Sequence, residues 1–170
     1  MDVLTPEQRH FNMSQIHSKN TKPELIVRKW LWNNGYRYRL HRKDLPGKPD
    51  IALSKFKAVI FVHGCFWHMH NCKYGSKPKT NKKFWNKKLN GNVERDKINI
   101  KELKKLNWRV LVIWECEIMK WDTKLEVKIN NFLNKNITLF KKNTVYDDII
   151  ENDANYAAER EGEYNLMKAR

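Results

Sequence analysis

The 170-residue chain carries 34 Lys and Arg against 19 Asp and Glu, a formal net charge of +15, and is 41% hydrophobic. That length and apolar content suit one domain with a real core and exclude a disordered tail. The longest apolar run, Ala58-Val59-Ile60-Phe61-Val62, is far short of a membrane span, and Met1-Asp2-Val3-Leu4 opens no cationic-then-apolar leader, so a cytoplasmic address is expected.

The first twenty residues are polar, lack sustained periodicity and read as an arm with at most one helical turn. Thr21-Lys22-Pro23-Glu24 then has the form of a capping box with proline in the first helical turn. The helix it opens carries Leu25, Ile26, Trp30 and Leu31, and Gly35 is its stop. Tyr36 to Leu40 alternates as a strand does. Leu45-Pro46-Gly47-Lys48-Pro49-Asp50 is a turn-rich approach to a second strand, Ile51-Ala52-Leu53. Ser54-Lys55-Phe56 connects it to a buried strand from Lys57 to Val62. As a hairpin these two strands return His63 to the neighbourhood of Asp50. After a loop rich in His, Cys and aromatics, helices are expected at Asn81–Leu89 and Glu94–Leu106, then a third buried strand at Arg109–Trp114. Leu125, Ile129, Phe132 and Leu133 mark an amphipathic helix, and beyond Asn136 the pattern weakens. The order predicts an α/β domain, a mixed central β-sheet flanked by helices.

Charge is concentrated. From Lys73 to Arg109 there are 13 Lys and Arg against 3 acids, whereas Asp147 to Arg170 holds 7 acids against 3 bases. Tyr74, Phe84, Trp85 and Trp108 stand within the basic stretch, a mixture suited to phosphates and to bases. A solvated, Lys-rich helix face is the plainer account of the same residues. The cysteines, Cys65, Cys72 and Cys116, are odd in number, which argues against a disulfide framework and leaves metal ligation, catalysis or simple burial.

Two clusters carry chemistry. Asp50, at the mouth of a strand, comes back beside His63 and His68. A carboxylate can hold a hard divalent cation and an imidazole can take a proton from water, the minimum for metal-assisted phosphodiester hydrolysis. Pro49-Asp50 as a turn and satisfied histidines are the structural alternatives. The second cluster is Cys65-x4-His70-x-Cys72, with Cys116 directly after the third strand, a Cys₃His set for zinc in which His63 or His68 could stand in for His70. Phe66 and Trp67, with Trp85 further on, are either core residues or a wedge that unstacks base pairs.

Five segments together resemble the very-short-patch repair endonucleases, a branch of the restriction-endonuclease-like superfamily. They are Met13 to Thr21, Leu45 to Asp50, Phe61-Val62-His63-Gly64-Cys65-Phe66-Trp67-His68, Asn92-Val93-Glu94-Arg95-Asp96, and Trp108 to Cys116. They run in family order over roughly residues 13–120. The resemblance implies a restriction-endonuclease-like mixed sheet with a structural zinc site. It implies Mg²⁺-dependent nicking of duplex DNA on the 5′ side of the thymine in a T:G mispair. Asp50, with the backbone carbonyl of Val62, would bind Mg²⁺. His68 would be the general base, oriented by Asp96, with His63 and Glu24 supporting metal-bound water. Cys65, His70, Cys72 and Cys116 would hold Zn²⁺. Phe66, Trp67 and Trp85, with Lys87, Lys88 and Asn92, would contact DNA. Some family members have threonine where this chain has Val62, and a valine carbonyl can serve equally.

The expected organisation is therefore a DNA-contacting arm at 1–20, an endonuclease domain at 21–135 and an acidic extension at 136–170. The expected partner is duplex DNA, with mismatch-repair proteins as further candidates and a monomer as the state suited to cutting one strand. A related restriction or repair nuclease with another target, and a non-catalytic DNA-binding protein with a zinc-stiffened wedge, are the alternatives.

Overall fold

Thr21 starts the first helix as its spacing predicts: its hydroxyl accepts the Glu24 N–H, and Pro23 sits in the first turn. The computed structural model describes residues 19–78 and 80–134, with positions 5, 7, 8, 11, 14 and 15 before them. Most of the expected arm and the whole 136–170 extension lie outside these residues. The elements are α1 (Lys22–Asn33), β1 (Arg39–Leu40), β2 (Ile51–Leu53), a 3-10 turn (Ser54–Phe56), β3 (Ala58–His63), α2 (Lys82–Lys105), β4 (Arg109–Trp114), α3 (Glu115–Met119) and α4 (Thr123–Asn134). Gly35 ends α1 at φ 79, where the following Tyr36 N–H returns to the Leu31 carbonyl.

The four strands lie in the order β1-β2-β3-β4, with the first two pairings antiparallel and β3 parallel to β4. The sheet is mixed, as expected, because α2 carries the chain across between β3 and β4. Alternation sends Val59 and Phe61 to one face, where they pack with Ala52, Leu45, Leu103 and Trp108. Ile60 and its register partner Ile51 point the other way and are fully buried too. Strands buried on both faces read as continuous apolar runs, which is why Ala58 to Val62 was legible.

Three local expectations change. The two helices expected after the loop are one 24-residue helix, α2, running through Gly91. The strand expected from Tyr36 is paired only over Arg39 and Leu40. Lys57 is not a strand residue: it turns the chain at φ 45 before β3 begins. The short α3, directly after β4, had no sequence counterpart. Among the described residues no helix is long and apolar enough to cross a membrane.

Candidate active site

The β2–β3 hairpin brings Asp50 back to the end of β3, where the Val62 N–H donates to its Oδ2 at 2.8 Å. Asp50, Glu24, Val62, His63, His68 and Asp96 all line one cavity of about 720 Å³. Burial raises Asp50 from 3.8 to about 6; the Val62 N–H opposes that rise and nearby Glu24 adds to it. Burial, reinforced by His68, lowers His63 to about 4, so its ring is neutral at physiological pH.

His68 is held on both sides. Its ring stacks on His63 with centroids 3.7 Å apart and planes 7° from parallel. Its Nδ1 lies 2.5 Å from Asp96 Oδ2, on α2. An ionised carboxylate only accepts, so Nδ1 carries the proton and Nε2 keeps the lone pair. His63, His68 and Asp96 have ligand atoms close enough for a cation. Stacked, near-parallel imidazoles keep their lone pairs in separate planes, a poor arrangement for sharing one ion and one that suits proton transfer.

Glu24 is almost fully buried and committed: it accepts from Asn20 N–H at 3.0 Å, from the Thr21 hydroxyl at 3.0 Å and from Arg28 Nη2 at 2.6 Å. It thus ties Asn20 and Thr21 to the start of α1 and faces the cavity at once. Sequence reasoning missed its neighbours Arg28 and His41. The signal for His41 was available in the register: Leu40 pairs with Ile51, which sets His41 opposite Asp50. Burial, then the Arg28 charge, keeps His41 below its ordinary value.

The loop after β3 supports two further groups. Cys65, His70, Cys72 and Cys116 have ligand atoms within 4.8 Å of one another, with His70 Nδ1 3.6 Å from Cys65 Sγ and 3.4 Å from Cys116 Sγ. A tetrahedral zinc site with about 2.3 Å Zn–S bonds has edges near 3.8 Å, so the donor set fits zinc. The structure groups His70 with the three cysteines, whereas His63 and His68 line the other cavity. Trp114 stands between the two sites, stacked on His70 at 4.1 Å and edge-on to His63 at 5.4 Å. Burial pushes the Cys65 thiol up to about 12, so taking a metal there releases a proton.

Phe66, Trp67 and Trp85 form a cluster with centroids 5.0 to 6.1 Å apart. Lys88 Nζ lies 5.2 Å from the Trp67 ring and 5.5 Å from Trp85, a cation over aromatic faces. Phe84, 52% exposed, extends the cluster outwards. Asn92 fixes the loop by donating to the Trp67 carbonyl at 2.9 Å, and Lys87 is exposed on the same helix. The predicted site residues thus fall into one cavity, one Cys/His cluster and one aromatic surface that adjoin each other.

Carboxylates and an oriented imidazole beside an aromatic, cationic surface would suit an enzyme that works on nucleic acid. Comparison with known proteins makes that specific. The family model described as DNA mismatch endonuclease Vsr matches residues 1–74. The type II nicking enzyme V.NmeAIP of Neisseria meningitidis is 52% identical over 117 residues, covering 69% of this chain and 84% of that protein. The DNA mismatch endonuclease Vsr of Escherichia coli is 40% identical over 117 residues, covering 69% and 75%. The homing endonuclease I-Bth0305I catalytic domain is similar at TM-score 0.46 and 26% identity, covering 66% of this chain and 94% of that one. The chain belongs to the Vsr DNA mismatch endonuclease family and is a DNA nicking endonuclease.

Proposed function

We propose that this enzyme nicks one strand of duplex DNA by Mg²⁺-assisted phosphodiester hydrolysis at a weakened base step, with a T:G mispair as a target that an aromatic wedge would suit. The observation that carries the reading is the shared cavity of Asp50 and the Asp96-oriented His68, next to a partly exposed aromatic cluster. Asp50, with the Val62 carbonyl, would hold the cation: a buried carboxylate raised to about 6 is a group in want of positive charge. When bound there, Mg²⁺ would polarise the phosphate and acidify a water. His68 takes the proton of the attacking water at Nε2 while Asp96 stabilises the imidazolium through Nδ1. His63 stays uncharged beneath it, so the proton arrives at His68 without a competing cation in the stack. Phe66, Trp67 and Trp85, partly exposed beside the cavity, would enter an opened step, which costs least at a mispair. The cut would fall on the 5′ side of the thymine.

A second reading has its own support. The relative at 52% identity is called a type II nicking enzyme, whereas the one called a mismatch endonuclease stands at 40%. That favours a target defined first by the sequence around the nick. One strand-resolved assay separates the two, using T:G and C:G duplexes in several flanking sequences, with Mg²⁺ and with EDTA. Nicking confined to the thymine strand of T:G duplexes supports the mispair reading. Equal nicking of both duplexes in one flanking context moves the target to the sequence. Binding with no Mg²⁺-dependent nick removes the catalytic assignment of Asp50.

A further inference from the structure

Arg28 is 6% exposed, yet its guanidinium sits among three polar partners. Nη1 donates to Asn20 Oδ1 at 2.7 Å, Nη2 donates to Glu24 Oε2 at 2.6 Å, and Nη2 lies 3.1 Å from His41 Nε2. A guanidinium has donors and no acceptor, so the last contact requires the lone pair of Nε2. In the neutral ring the proton is then on Nδ1. That atom lies 4.0 Å from Asp50 Oδ1, the oxygen left over when Oδ2 takes the Val62 N–H.

Such a spacing has two meanings. Two ligands of one small cation, each at about 2.1 Å, stand up to about 4.2 Å apart. Alternatively a donor faces a carboxylate, about 1 Å beyond hydrogen-bond length. The tautomer decides, because a protonated Nδ1 has no lone pair for a metal. We propose that His41 is a positioning residue for Asp50: Arg28 fixes its tautomer, and its Nδ1–H orients the carboxylate by facing Oδ1, the oxygen that Val62 does not hold. The inference rests on Asp50 being the metal-binding carboxylate.

The backbone supports this placement. His41 adopts φ 46, a left-handed conformation that disfavours a side-chain-bearing residue, and its N–H reaches the Asp50 carbonyl at 3.4 Å. Arg28 Nε is buried with no hydrogen-bond partner among the described residues, a further cost accepted where the guanidinium meets His41. Both costs are retained around the Arg28–His41 contact, and the far side of that imidazole faces Asp50 at 4.0 Å. Groups that hold a ligating carboxylate typically alter metal affinity about 10- to 100-fold.

The full-length protein tests this in two ways. Long-range ¹H–¹⁵N correlation spectra of the wild type report the tautomer directly: His41 protonated at Nδ1 is expected, and protonation at Nε2 instead overturns the inference without any variant having to fold. Mn²⁺ binding, followed by electron paramagnetic resonance, then gives the functional side. His41→Ala should weaken it about 10- to 100-fold, while His41→Asn, whose amide N–H falls near the Nδ1 position, should bind closer to wild type. Unchanged binding in His41→Ala alongside loss in Asp50→Ala overturns the role of His41 alone. Unchanged binding in both overturns the metal reading of Asp50, and the inference with it. Equal loss in His41→Ala and His41→Asn makes His41 a ligand and overturns its assignment as a donor.

Discussion

Burial acts on Asp50 and His63 in opposite senses, and folding stability records the difference. Asp50 rises to about 6 and His63 falls to about 4, whereas in the unfolded chain both return to ordinary values of 3.8 and 6.5. Between these limits folded Asp50 holds a proton the unfolded chain lacks. Its contribution therefore weakens folding as pH rises, and the full cost is present above about 6. Folded His63 lacks a proton that the unfolded chain holds, so its contribution strengthens folding as pH rises and is lost on acidification through 6.5 towards 4. The two slopes oppose each other in the acid range. Asp50→Asn should uncover the histidine slope: urea titrations should show stability falling more steeply than wild type from about pH 6.5 to 4.5. At pH 7.5 the same variant should be more stable by on the order of 2 kcal/mol and should not nick. A variant whose acid slope matches wild type would mean that Asp50 does not titrate in the folded protein as its burial requires.

The helix α2 shows what an element can hide from its sequence. Asn90-Gly91-Asn92 reads as a break, and the expected helices stop and start around it, yet the chain stays helical through all three. Asn92 is spent on the Trp67 carbonyl, and a Cβ at Gly91 would meet nothing within 4 Å. Gly91→Ala should therefore stabilise the protein by about 1 kcal/mol, read as a raised Tm, with nicking unchanged. Gly47→Ala should do the reverse, because φ is +74 there and the added carbon would lie 2.8 Å from the Asn99 side chain. A tolerated Gly47→Ala would mean that this turn relaxes without disturbing Asn99. The Thr21 cap and the buried β3 were legible because each is a local pattern with a single physical reading. β4 was legible as a strand, although only Leu111 and Ile113 are buried in it, and the Cys/His spacing marked a cluster without choosing among its histidines. Arg28 was not, since its partners Asn20 and His41 lie outside the helix, and a lone arginine on a helix reads as a solvated charge. Nor was α3: five residues are too few for a period to show.

On the scale of the molecule, zinc held by the Cys/His cluster would join what the sheet only aligns. Cys65, His70 and Cys72 follow β3, and Cys116 lies in α3 directly after β4, so one ion would clasp the ends of two parallel strands. Between Cys65 and His70 the chain carries Phe66, Trp67 and His68, so part of the aromatic surface and the imidazole proposed as proton acceptor lie on a loop the same clasp would close. Free energy from a structural zinc ion is folding free energy. Its loss should therefore act on stability, DNA contact and chemistry together. Cys116→Ser is expected to lose stoichiometric zinc, to melt at least about 10 °C lower and to lose nicking. His68→Ala, by contrast, should keep the zinc and the Tm and lose only nicking. Chelation of the wild type followed by zinc titration sharpens the comparison: Tm and nicking should recover with one shared midpoint. Recovery of Tm at a zinc level that leaves nicking absent would uncouple the clasp from the loop, and full activity in a chelated, zinc-free protein would show that the four ligands are packed thiols and an imidazole with no metal to hold.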